Sequence, residues 1–148
     1  MNQIEVINRP STMYASTLLI GVSYLVYNML PIILKSASDS MGLSEQHIGY
    51  LGSAYMAGSA LSNIAAVFWV RLLNWRNTVA LNTVLACICY ALAGQSDYHS
   101  LLILLFLIGV SNSAIVSCIY TLMGDMEKSD KAFGNGIGVQ VVLAGLGS

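Results

Sequence analysis

The chain has 148 residues; 9 % are Asp, Glu, Lys or Arg and 56 % are hydrophobic. Soluble domains carry about 25 % charge, so this composition excludes a disordered chain and argues against a soluble globular domain. Six basic residues against seven acidic ones leave no electrostatic footprint for nucleic acid. The class that remains is an all-α integral membrane protein, and the positions of the charges organise it.

Uncharged stretches run from Arg9 to Lys35, Glu45 to Arg71, Arg76 to Asp97 and Asp97 to Asp125, with a shorter one after Lys131. About 20 apolar residues span the hydrocarbon as a helix, so a polytopic helical protein of about five spans is expected. β-barrel strands would read as alternating segments, and LLILLFLIG does not alternate.

The first span is expected over Met13–Leu34. It carries Tyr24, Tyr27 and Asn28 at i, i+3, i+4, on one face at mid-membrane depth. Pro31 follows, a kink that neighbouring helices tolerate. The second, Ile48–Val70, holds Gly49, Gly52, Ser53, Gly58, Ser59 and Ser62. Small residues let backbones approach closely in lipid, and Gly52, Gly58 and Ser62 are expected at a packing seam. The third, Asn77–Gln95, has no Gly before its end and reads as peripheral. Its Cys87 and Cys89 point to roughly opposite sides, and with Cys118 they read as inert apolar thiols. No metal clasp is expected.

The fourth span, Ser100–Met123, runs Gly109, Ser113, Ser117, Thr121 at steps of four, with Asn112 and Tyr120 on the flank. Gly109 joins the expected packing positions. Polar side chains in hydrocarbon need a helix, water or a ligand as partner. Two polar faces on two spans at one depth point to a shared aqueous cavity. The fifth span, Ala132–Gly147, includes Gly134, Gly136, Gly138, Gly145 and Gly147.

Arg9, Arg71, Arg76, Lys128 and Lys131 fall on one side of the membrane and Lys35 alone on the other. The positive-inside rule then puts the N-terminus in the cytoplasm and argues against dual topology. Trp69 and Trp75 fall at the inner interface, Tyr50 and Tyr98 at the outer one. The N-terminal residues lack the pattern of a cleaved signal peptide. No carboxylate, Lys or Arg lies inside a span, so no in-membrane proton relay is visible. His47 and His99 sit near Glu45 and Asp97 as isolated pairs, too little for an enzyme site. No cofactor is expected.

The stretch MGLSEQHIGYLGSAYMAGSALSN resembles the end of the first outer loop and the second helix of the major facilitator superfamily. Ser44 suits its N-cap and Glu45 the positive end of the helix. TLMGDMEKSDKAFGNGIG resembles the family's passage from helix four to helix five, with Asp125 ending the one and Lys131, Ala132 and Gly134 opening the other. The family's loop signature, roughly G-x-L-x-D-R-x-G-R-[RK], reads AVFWVRLLNWRN here. Arg71 matches its Arg, Val70 stands at its Asp, Leu73 at its second Gly, and Arg76 lies just past its last basic position. The resemblance therefore implies at most a reduced cytoplasmic latch, Arg71 or Arg76 with Asp125. No proline-containing antiporter motif follows in the fifth span.

What the resemblance implies is secondary transport of a small organic solute by alternating access between two six-helix halves. The implied substrate cavity is lined by Tyr24, Tyr27, Asn28, Asn112, Ser113 and Ser117. About five helices make most of one half, so the expectation is an N-terminal part of a transporter in a bacterial cytoplasmic (inner) membrane, inactive alone. Its partners would be the bilayer, the solute and the missing C-terminal helices. The alternative is a small non-transporting membrane scaffold or assembly partner.

Overall fold

A computed structural model describes residues 7–146. Five helices follow in chain order: α1 (Pro10–Met41), α2 (Glu45–Trp69), α3 (Trp75–Ala93), α4 (Tyr98–Gly124) and α5 (Ser129–Leu146). No strand occurs among the described residues, and the architecture is all-α and polytopic. The end of the expected fifth span, Gly147, lies outside them.

Local chemistry sets the ends. Pro10 opens α1 at a position where a missing N–H costs nothing. Ser44, Asn74 and Asp97 cap α2, α3 and α4, their side chains accepting from the backbone N–H of His47, Arg76 and His99. α1 runs seven residues beyond the expected Leu34. Charge at Lys35 and Asp39 limits the hydrocarbon-embedded part, but it does not stop the helix. The stop is Gly42, at φ 62°, whose N–H bonds back to the Ser38 carbonyl. With 32 residues α1 rises roughly 48 Å, well past the ~30 Å hydrocarbon core.

α1 to α4 are each long and apolar enough to cross a membrane. The described part of α5 has 18 residues and is not among them. Asp130, Lys131, Asn135 and Gln140 dilute its apolar character. Large apolar side chains cover the outside, among them Val67, Phe68, Leu72 and Leu81. That pattern fits hydrocarbon as the solvent.

α4 is the hub: α2 and α3 pack along it, α1 crosses it, and α5 lies against α1. Two apolar clusters result. Leu30, Leu51, Tyr55, Cys89, Leu101, Leu105 and Ile108 fill one end. Ile20, Val79, Ile115, Cys118, Ile119, Leu122, Met123, Met126 and Ala132 fill the other. α3 buries only Thr78, Val79 and Cys89, and packs chiefly on α4. Its Cys87 is exposed where Cys89 is buried, as a two-residue step along a helix requires.

α2 and α4 cross at glycine. A Cβ on Gly58 would meet the Phe106 carbonyl group and come within 3.2 Å of the Val110 nitrogen. One on Gly109 would meet the Tyr55 carbonyl group and come within 3.2 Å of the Ser59 nitrogen. The Ser59 hydroxyl adds a bond to the Gly109 carbonyl at 3.3 Å. Ser62, one turn on from Gly58, is buried. Gly52 sits less tightly, 3.4 Å from a Leu34 methyl if given a Cβ.

Candidate functional site

Between the two apolar clusters, α1, α2 and α4 converge on polar groups. Asn112 of α4 ties all three together. Its amide nitrogen donates to the Tyr55 hydroxyl of α2 at 3.0 Å and to the Ser23 carbonyl of α1 at 3.3 Å. One turn along α4, the Ser117 hydroxyl donates to Asn63 Oδ1 on α2 at 3.1 Å. Further along, the Tyr24 and Tyr120 hydroxyls lie 3.0 Å apart, joining α1 to α4. The Tyr27 and Tyr55 rings are 6.3 Å apart and tilted by 48°.

These groups frame a cavity of about 350 Å³. Ser23, Tyr24 and Tyr27 line it from α1; Tyr55, Met56, Ser59, Ala60 and Asn63 from α2; Asn112, Ser113 and Val116 from α4. The volume falls within the range of small-molecule sites. The lining has no charged residue. Its chemistry is hydroxyl, amide and aromatic face, suited to hydrogen-bonding and stacking.

Of the six residues expected at a cavity, four line this one: Tyr24, Tyr27, Asn112 and Ser113. Ser117 stands one turn beyond Ser113, engaged with Asn63. Asn28 is exposed outside the lining. At 100° per residue it lies on the side of Tyr24 away from Tyr27 and Ser23, which look toward α2. The sequence reading missed Tyr55, Met56 and Asn63. A signal was present: Tyr55, Ser59 and Asn63 form a polar stripe at steps of four, the same pattern that marked α4. The glycines and serines around it drew attention to packing instead.

At the far end of α2 and α4, Arg71 Nη2 lies 3.5 Å from Asp125 Oδ1. Of the two expected latch arginines, this is the one that reaches Asp125. Arg76 lies over the Trp75 ring, 5.2 Å from its centroid. Among the described residues no group of three or more His, Cys, Asp or Glu side chains could hold a metal ion.

A helical bundle whose outside is apolar and whose interior carries an uncharged polar cavity defines an integral membrane protein with a solute-sized site. The sequence profile of the Major Facilitator Superfamily matches residues 16–148. The chain belongs to that family, whose members are transporters. Neither curated proteins nor solved structures gave a match.

Proposed function

We propose that the chain is the N-terminal part of a secondary active transporter that moves a small organic solute by alternating access. The observation that carries this reading is the convergence of Asn112, Tyr55 and Ser23 on one uncharged cavity. In two-half transporters the substrate sits near the midplane between the halves, and this cavity opens at the face formed by α1, α2 and α4. The missing C-terminal helices would close that face and supply the other half of the site. The fragment alone then does not transport. Tyr24, Tyr27, Asn112 and Ser113 contact the solute, and Asn28 and Ser117 border it on the surface that meets the second half.

Arg71 and Asp125 latch the inner gate as a reduced version of the family's loop motif. The excess of Lys and Arg at that end supports a cytoplasmic N-terminus in a bacterial inner membrane.

The test is thermal unfolding of the full-length transporter in detergent against sugars, amino acids, organic acids and amphipathic drugs. One solute class should raise the Tm, and Asn112→Ala should abolish the shift. A monodisperse 148-residue product with no frame continuing beyond Ser148, and no solute-dependent shift, would favour the scaffold reading instead.

A further inference from the structure

Tyr24 of the cavity is the first of three aromatic side chains joined in a row, one each from α1, α4 and α5. Tyr24 lines the cavity; Tyr120 of α4 and Phe133 of α5 do not. The Tyr24 and Tyr120 hydroxyls lie 3.0 Å apart. The Tyr120 and Phe133 rings stack, with centroids 5.9 Å apart and planes tilted by 23°, within the roughly 4.5–7 Å that aromatic pairs prefer. All three rings pack against the apolar cluster that includes Ile20, Ile119, Met123 and Ala132.

Helix geometry explains how α5 reaches this row. Tyr120 stands two turns further along α4 than Asn112, roughly 12 Å of rise, which carries it past the cavity lining toward the α4–α5 connection. Gly136 lies one turn on from Phe133. A Cβ there would sit 3.5 Å from Met123 Cε and 3.8 Å from Ile20 Cδ1, so α5 is held against both α4 and α1 at this level. A phenolic oxygen both donates and accepts. The Tyr120 contact therefore fixes the Tyr24 ring and leaves its hydroxyl with bonding capacity for a solute.

We propose that Tyr120 is a positioning residue of the solute site: braced by Phe133, it holds Tyr24 in place, so that the setting of α5 governs how tightly the cavity binds. This rests on the reading of the cavity as a solute site. Tyr120 acts through Tyr24 and touches no solute itself. A shift of α5 away from α4 unstacks Phe133, releases Tyr120 and frees the Tyr24 ring. A helix that contributes no lining residue is thereby coupled to binding.

The test uses the full-length transporter and the sugar, amino acid, organic acid or amphipathic drug that raises its Tm most. Tyr120→Phe keeps the ring and the stack and removes the hydroxyl. It should fold normally and raise the KM for uptake by about three- to eighteen-fold, the factor that interhelical hydrogen bonds in membranes are worth, with kcat little changed. Phe133→Leu should raise KM in the same direction, and Phe133→Tyr, which retains an aromatic ring, should keep the native value. Because Tyr120 works through Tyr24, adding Tyr120→Phe to Tyr24→Phe should raise KM no further. An unchanged KM in Tyr120→Phe, equal KM values in Phe133→Leu and Phe133→Tyr, or losses that add in the double variant would each overturn the positioning role alone. If no solute raises the Tm of the native protein, the solute-site reading falls and this proposal falls with it.

Discussion

Gly58 and Gly109 occupy matching places across the α2–α4 crossing, each set against the other helix's backbone. Gly58 abuts Phe106 and Val110; Gly109 abuts Tyr55 and Ser59. In lipid there is no hydrophobic drive between helices, so close packing of small residues is what holds them. The same contact fixes the cavity, because Tyr55 and Ser59 on α2 and Asn112 and Ser113 on α4 flank it.

Alanine at either glycine is therefore expected to be poorly tolerated. The atoms it would strike are backbone, which cannot rotate away. Overpacking typically costs about 1–3 kcal/mol, and both variants should fall at or above the top of that range. Gly49→Ala, where a Cβ meets nothing within 4 Å, is the control. Thermal unfolding in detergent reads the difference; equal Tm values for all three variants would contradict the tight crossing.

Asn112 should matter more for solute than for folding. Interhelical hydrogen bonds in membranes average ~0.6 kcal/mol and reach ~1.7. Asn112→Ala removes two such bonds and leaves the Tyr55 hydroxyl without this donor. A Tm loss corresponding to about 1 kcal/mol is expected, with complete loss of solute-induced stabilisation. Tyr24→Phe, which removes the contact with Tyr120, should weaken the solute response with a smaller stability loss. A full solute response in Asn112→Ala would remove this residue from the site.

The helices were legible because charge is costly in hydrocarbon, so Arg9, Lys35, Glu45, Arg71, Arg76, Asp97 and Asp125 punctuate the spans. Their ends were less so. Helix stops are set by local groups such as Gly42, and these need not coincide with the membrane boundary. Within the cavity, periodicity put Tyr24 with Tyr27 and Asn112 with Ser113, since one helix fixes those angles. It did not fix which partner helix each face meets. The rotation of α2 against α4, set by the Gly58–Gly109 contact between residues distant in sequence, decides that Tyr55 and Asn63 enter, and the rotation of α1 decides that Asn28 stays outside.

Asp97 gives a pH handle outside the membrane. The Ser100 hydroxyl donates to Asp97 Oδ1 at 2.5 Å, and this bond is the main cause holding its carboxyl below the usual carboxylate range. The backbone N–H of His99 adds a weaker bond at 3.3 Å. A folded pKa below the unfolded one contributes stability that is present above the unfolded value, near pH 4, and is lost as pH falls through the folded value. Ser100→Ala should move the Asp97 titration up toward that ordinary value and lower stability above pH 4, with the difference fading in stronger acid. Carboxyl titration by NMR and Tm against pH check this; an unmoved Asp97 titration would show that the hydroxyl is not its main support.

The Arg71–Asp125 pair separates a gate from a brace. The side chains are 76 % and 47 % exposed, and pairs so solvated contribute about 0–1 kcal/mol. Arg71→Gln and Asp125→Asn should therefore leave Tm nearly unchanged. On the proposed reading, in which the pair latches the inner gate of a longer transporter, it would shift the balance between inward- and outward-facing states even while adding little to folding. Each single variant should alter the transport rate and the access of thiol reagents to cysteines introduced near the inner gate. The charge-swapped double variant, Arg71→Asp with Asp125→Arg, should recover much of both, because attraction is restored with the order of signs reversed. Added salt should mimic the single variants, since screening acts strongly on exposed charges. If the double variant behaves as the sum of two independent losses, the two residues do not act as a pair, and Arg71 serves only to fix topology.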